Sequence, residues 1–275
     1  MVNSAATERR RRSGTRFATL LLGTLLAGSA LAGCGRLVDA SNNKPPKPSA
    51  APYAGLHLVP EKLAQDGTTI VVGDPYAPVT VRLYEDPRCP ACKEFEVEGS
   101  APALRTATEQ RRIRTEYVFA SFLDDKRGGD GSKRAVNALR AALEAGKFTK
   151  YHELLFTREP ANPEEDFTTG FLLEVADEVR GLRGPAFDSA VKKMEYRDFV
   201  VRSQAAYDRS SEDGRGPGTP SADINGRRLS DRAGEWVYPN DYKDPDTARS
   251  FLFDPESLPQ LLDWVAANPQ RWKRA

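Results

Sequence analysis

Apolar and polar positions first fall into strand-like runs and then change to a helical period. Thr68-Thr69-Ile70-Val71-Val72 predicts a first strand, stopped by Gly73-Asp74-Pro75. Val79-Thr80-Val81-Arg82-Leu83-Tyr84 alternates apolar with polar and predicts a second. A segment rich in helix formers, 93–98, follows it. Gly99-Ser100-Ala101-Pro102 should interrupt that helix, which resumes over 103–110. Residues 113–119, apolar at alternate positions, predict a further strand. Strand, strand, helix, strand in this order makes a βαβ unit with a parallel pair.

From about 132 to 207 the period is helical. Val136, Leu139 and Leu143 share one face behind Ser132, the expected N-cap. Phe148, Tyr151 and Leu155 form a second stripe; Phe171, Leu172, Val175 and Val179 a third; Phe187, Val191 and Met194 a fourth. Such stripes are core. Gly128-Gly129-Asp130-Gly131-Ser132-Lys133 lacks the residue order of a phosphate-binding loop and serves as an entry to the helices. A polar linker over 210–218 leads to Pro220, placed where a strand can begin, and to Asn225-Gly226, a hairpin signal.

Composition changes the picture at the N-terminus. Residues 1–33 carry five arginines against Glu8, so the formal charge of +1 hides about −3 on the remainder, and no nucleic-acid footprint is present. A charged n-region ends at Arg16, an uncharged run extends over 17–33, and Leu31-Ala32-Gly33 precedes Cys34. Leu31-Ala32-Gly33-Cys34 resembles a bacterial lipoprotein box, which implies a lipoprotein signal peptide over 1–33, cleavage before Cys34 and a lipid on its sulfur. The alternatives are plain secretion or an uncleaved anchor, but the 17-residue run would span only about 25 Å as a helix, short of a hydrocarbon core of about 30 Å. Residues 34–54, with Pro45, Pro46 and Pro48 among Asn, Lys, Ala and Ser, predict a flexible tether, and 55–275 the folded domain.

The candidate chemistry lies between the second strand and its helix, at Cys89-Pro90-Ala91-Cys92. A strand delivering C-x-x-C onto a first helical turn is the thioredoxin-like redox arrangement. There the helix dipole and free N–H groups favour a thiolate at an exposed Cys89, and Cys92 lies one turn deeper. Pro90, with no N–H to lose, suits that turn. A zinc site would want four ligands, and the three cysteines with His57 and His152 show no matching spacing; an inert structural bridge is the other alternative.

Three stretches together resemble the DsbA-like branch of the thioredoxin superfamily, in its membrane-tethered bacterial form. They are Gly73-Asp74-Pro75-Tyr76-Ala77-Pro78-Val79, Asp86-Pro87-Arg88-Cys89-Pro90-Ala91-Cys92, and Gly218-Thr219-Pro220 with Asn225-Gly226. The resemblance implies an α/β thioredoxin-like fold: a central mixed sheet flanked by helices, with a helical subdomain inserted at about 130–210. A last helix is expected over 255–267. It implies that Cys89 and Cys92 are catalytic, with no cofactor beyond their own redox-active disulfide and no metal. Pro90, Ala91, Thr219 and a cis Pro220 would support the site. Partners would be cysteine-containing or unfolded exported proteins, a membrane redox partner that recycles the site, and the bilayer through Cys34, on the extracytoplasmic face. Dithiol oxidation is the expected activity; reduction or isomerisation, or a binding lipoprotein on the same scaffold, are the alternatives.

Two departures stand out. The middle dipeptide Pro90-Ala91 lacks the histidine of strongly oxidising members. The place of the family's buried acid is Leu83, so that Glu85 or Asp86 either substitutes for it or caps the turn. A long insert over 231–254, with Trp236, Tyr238, Tyr242 and Phe251, is a lid over substrate or a packed loop.

Overall fold

The structure, a computed structural model, describes residues 51–158, 167–229 and 251–274. The expected signal peptide, Cys34 and the expected tether up to residue 50 lie outside these residues, as do Trp236, Tyr238 and Tyr242. No helix among the described residues is long and apolar enough to cross a membrane.

After a 3-10 turn (Leu56–Leu58), the chain runs through β1 (Glu61–Leu63), β2 (Ile70–Gly73) and β3 (Val79–Glu85), then α1 (Pro90–Val97) and α2 (Ala101–Glu109), to β4 (Ile113–Phe119). A helical stretch follows: α3 (Leu123–Arg127), α4 (Gly131–Glu144), α5 (Phe148–Thr157), α6 (Thr169–Asp177), α7 (Pro185–Lys193) and α8 (Arg197–Asp208). The hairpin β5 (Ser221–Ile224) and β6 (Arg227–Arg228) returns to the sheet, and α9 (Ser257–Ala267) and α10 (Pro269–Arg274) close the chain. The sheet has the order β1-β2-β4-β3-β5-β6 among the described residues. Only β3 and β4 run parallel, in the register Leu83↔Tyr117 and Glu85↔Phe119, and the other pairs are antiparallel. This is the expected mixed sheet with helices inserted between β4 and β5.

Alternation along β3 buries Val79, Val81 and Leu83, and the same parity carries Glu85 into the interior at the strand's end, 1% exposed. Each predicted helical stripe is buried in the main core, apart from Phe171, which is only partly covered, and Met194, which caps α7 in the left-handed region at φ 53°. The break between α1 and α2 has a packing cause. A Cβ at Gly99 would stand 2.8 Å from the Leu252 carbonyl, and the buried Ser100 hydroxyl reaches the Phe251 carbonyl at 2.7 Å. Phe251, expected in a lid or loop, is 1% exposed and belongs to the core.

Two boundaries differ from expectation. Ser132 is not the N-cap of α4; Asp130 holds that position. The capping oxygens come instead from Asp124, which accepts the N–H groups of Ser132 at 2.8 Å and Lys133 at 3.0 Å, and so frees the Ser132 hydroxyl for another partner. The tether expected over 34–54 gives way to packed chain by residue 51. Arg111 Nε donates to the Ala51 carbonyl at 2.8 Å, and its guanidinium lies 3.7 Å from the centre of the Tyr53 ring.

The far edge of the sheet is held by the last helix. Trp272, 1% exposed, donates its indole N–H to the Ile224 carbonyl at 2.6 Å, and Arg227 returns a bond to the Trp272 carbonyl at 2.9 Å. This closes β5 and β6 against the C-terminal helices and fixes the strand that carries the Pro220 loop.

Candidate active site

Cys89 is the N-cap of α1 with Pro90 at the first helical position, and Cys92 follows within the first turn. The pair is in the dithiol form. Cys89, expected to be exposed, is only 8% so, because Phe122, Leu123 and Phe156 pack over the motif; Cys92 is wholly buried. The Thr219–Pro220 bond is cis. The Thr219 carbonyl lies beside the Cys89 thiol, which donates to it at 3.3 Å across 130 residues of sequence. Cys89, Cys92, Pro90, Ala91, Thr219 and Pro220 therefore meet at one point.

The two sulfurs are electrostatically unlike. The Cys92 thiol hydrogen bond, the Thr219 side chain and the N–H groups of Cys92 and Ala91 favour the Cys89 thiolate, and outweigh burial to bring its pKa down from 9.0 to about 6. Burial pushes Cys92 well above 9, and the charges of Cys89 and Glu85 add to it. One sulfur is prepared to attack and the other to stay protonated until needed.

The loop that presents Thr219 is itself fixed. The Gly218 N–H donates to the Tyr207 hydroxyl at 3.0 Å, and the Tyr207 ring stacks on Phe122 with centroids 5.5 Å apart. A Cβ on Gly216, at φ +77°, would penetrate that ring, so only glycine passes here. On the other side the turn before Cys89 is pinned by Asp86. Its carboxylate accepts the Arg88 N–H at 3.0 Å, the Leu123 N–H at 3.1 Å and the Ser132 hydroxyl at 2.5 Å. Arg88 then pairs with the buried Asp124 at 3.0 Å. Both acids considered from sequence are buried: Asp86 holds the turn, and Glu85 ends β3 against His152.

Glu85 has company that the sequence did not announce. Glu96, one helical turn after Cys92, is 2% exposed, and its Oε2 accepts from Arg105 Nη1 at 2.6 Å. His152 Nε2 contacts Glu85 Oε2 at 3.0 Å, inside a wall of Tyr117, Phe119, Phe148 and Phe156. Burial holds His152 neutral, lowering its pKa to about 4. Burial raises both carboxyls, Glu85 to about 7 and Glu96 to about 8. Potential ligand atoms of Glu85, Glu96 and His152 lie within 4.8 Å of one another, but the Arg105 guanidinium already places a cation on Glu96. Two sequence signals pointed here: the parity of β3, which places Glu85 with Leu83, and the i, i+4 spacing of Cys92 and Glu96.

A family model described as Thioredoxin matches residues 65–237. Disulfide bond formation protein D of Bacillus subtilis is 29% identical over 134 residues, 48% of this chain and 58% of that protein. The matched stretch thus spans little more than half of that relative's length. Two solved structures share the fold. BdbD from Bacillus subtilis, in its oxidised form, superposes with a TM-score of 0.54 at 19% identity, covering 79% of this chain and 100% of the other. The MdbA protein of Corynebacterium diphtheriae, described as a thiol-disulfide oxidoreductase, gives a TM-score of 0.52 at 22% identity, covering 68% of this chain and 95% of the other.

Proposed function

The chain belongs to the thioredoxin family, and from that premise we propose that it is an extracytoplasmic thiol-disulfide oxidoreductase, acting on exported proteins through Cys89 and Cys92. The observation that carries this reading is the inequality of the two sulfurs. Cys89 has a lowered pKa and lies against the Thr219 carbonyl, whereas Cys92 is buried and protonated. A static bridge needs no such difference.

In the oxidising direction a client thiolate attacks Cys89 Sγ of the disulfide, and the S–S bond breaks with its electron pair on Cys92, which takes up a proton. A second client thiolate attacks the client sulfur of the mixed disulfide. Cys89 leaves as a thiolate, the client gains a disulfide and the enzyme holds two more electrons. The Thr219 backbone, beside Cys89, offers an edge for a client segment to pair with as a short strand. A membrane redox partner would remove the electrons and restore the Cys89–Cys92 disulfide. Thiolate stabilisation at Cys89 favours the reduced enzyme and hence oxidation of clients. The missing histidine of the Cys-Pro-Ala-Cys motif works against a strongly oxidising potential. A lipid on Cys34 would hold the domain at the outer face of the membrane.

Trapping tests the reading. Cys92→Ala should accumulate mixed disulfides between Cys89 and a cysteine-containing peptide, and Cys89→Ala should form none. Equal trapping by both variants would end the division of labour. The reduction potential then fixes the direction: a value near about −120 mV marks an oxidase, near about −270 mV a reductase, and below about −300 mV a structural bridge.

A further inference from the structure

A groove runs from the redox site along α8 into the helical insertion. Its near part, a cavity of about 570 Å³, lies between α3, the end of α8 and the loop over 214–218, with Phe122, Tyr207 and Gly218 in its wall. Its far part, of about 630 Å³, lies between α4, α7 and α8. Ser121, Lys133 and Gln204 line both parts, so the two form one trough. Phe122 packs over Cys89 and Cys92, and Gly218 precedes Thr219, whose carbonyl accepts from the Cys89 thiol. The near end therefore opens beside the sulfur that a client must reach.

The two ends differ in charge. Around the near part acids and bases balance, Asp125 and Asp208 against Lys126 and Arg215. The far part has four cations, Lys133, Arg134, Lys192 and Arg197, against Asp130 alone. Lys133 is taken up by Asp125 and Asp130, and Arg134 donates its Nε to the Phe167 carbonyl. Lys192 and Arg197 are exposed and form no ion pair among the described residues. Arg197 is also the first residue of α8, where the helix dipole disfavours a cation. Between these charges the wall is apolar, with Val191, Met194, Val200 and a Val201 that is 63% exposed. The cations rim a trough that leads to the sulfur, which suits an extended chain better than a plane of lipid headgroups.

We propose that this groove holds an acidic, apolar segment of the client polypeptide, on one side of the client cysteine, with its carboxylates at Lys192 and Arg197. The assignment rests on the exchange activity proposed above and adds a substrate class to it. From Arg197 to Tyr207 α8 rises about 15 Å, which an extended chain covers in about five residues. Preferred clients therefore carry Asp or Glu about five residues from the cysteine that attacks Cys89, with apolar residues between. Opposite charge at the far end draws such segments in and raises the rate of encounter, an effect that salt weakens. A small thiol, reaching no further than Cys89, gains nothing from it.

Dye-labelled apolar peptides with serine in place of cysteine test the groove without exchange. Two series carry a pair of glutamates about five residues before or after the serine. In one series the glutamate peptide should bind the purified full chain about tenfold more tightly than its lysine counterpart at low salt. The ratio should fall toward one at about 0.5 M salt, and Lys192→Gln together with Arg197→Gln should remove it. The cysteine forms of the same peptides should open the Cys89–Cys92 disulfide in the same order of rates. In each protein the readout is the glutamate-to-lysine ratio, so a general loss of activity cannot imitate the effect. Equal binding of the two peptides, or a preference that survives in the double variant, overturns the proposal and leaves the exchange activity standing wherever cysteine peptides still open the disulfide. No peptide preference, with binding to phosphatidylglycerol vesicles that the double variant loses, assigns the cations to a membrane surface and overturns it as well. Selective binding of the serine peptides by a protein whose disulfide no cysteine peptide opens removes the exchange activity, while the groove remains a site for acidic segments.

Discussion

At Cys89 the shift from 9.0 to about 6 corresponds to about 4 kcal/mol of preferential thiolate stabilisation. Most of its sources lie within the same helical turn, and Thr219 is the contributor from elsewhere in the chain. Thr219→Val keeps the shape and loses the hydroxyl. It should raise the alkylation midpoint of Cys89 in the reduced protein by about one pH unit, of the order expected for one charge-assisted hydrogen bond. An unchanged midpoint would show that the hydroxyl does not reach the thiolate. The same shift makes the reduced form pH-sensitive. Because the folded pKa lies below the unfolded one, this group contributes nothing to stability below about pH 6, and its contribution grows until about pH 9.

Among the elements, the junction of α1, α3 and α4 depends on one aspartate. Asp124 caps α4 through two N–H groups and pairs with Arg88 just before the redox motif, with its own side chain fully buried. Asp124→Ala should cost about 3–5 kcal/mol in denaturant unfolding, since it removes the buried carboxylate that pairs with Arg88 and accepts two amides of α4. The neighbouring Asp125, 81% exposed, should be replaceable by Ala within about 0.5 kcal/mol. Comparable losses in both would put the stabilisation elsewhere. The contrast also shows what the sequence discloses. The strands at 79–84 and 113–119, the hairpin at Asn225-Gly226 and the helical stripes were legible because each is a local period or turn. The cap on α4 was not, since an acid on a preceding short helix supplanted Ser132 through a tertiary contact. Glu96 and His152 escaped for a similar reason: a polar residue on a buried stripe looks like a solvated position until its partner on another element is known.

For the whole molecule, the N-terminal order of charge, apolar run, small residues and Cys34 predicts a lipid anchor, which we propose sets where the domain works. Cys34→Ser should release the protein from the membrane fraction or leave it unprocessed, and it should incorporate no labelled fatty acid; normal processing with incorporation would refute the anchor. Sheet, insertion and last helix then act together on one contact, the approach of Thr219 to Cys89 over 130 residues of chain. Closing a loop of that length costs about 4 kcal/mol in chain entropy, and is repaid only when β5 has docked on β3 and Trp272 has locked the edge. Before that moment Cys89 has only its local share of stabilisation and lacks the contribution of Thr219. The last part of the thiolate stabilisation at Cys89 is thus gained only when a loop 130 residues away has docked, which ties the full reactivity of the motif to completion of the fold.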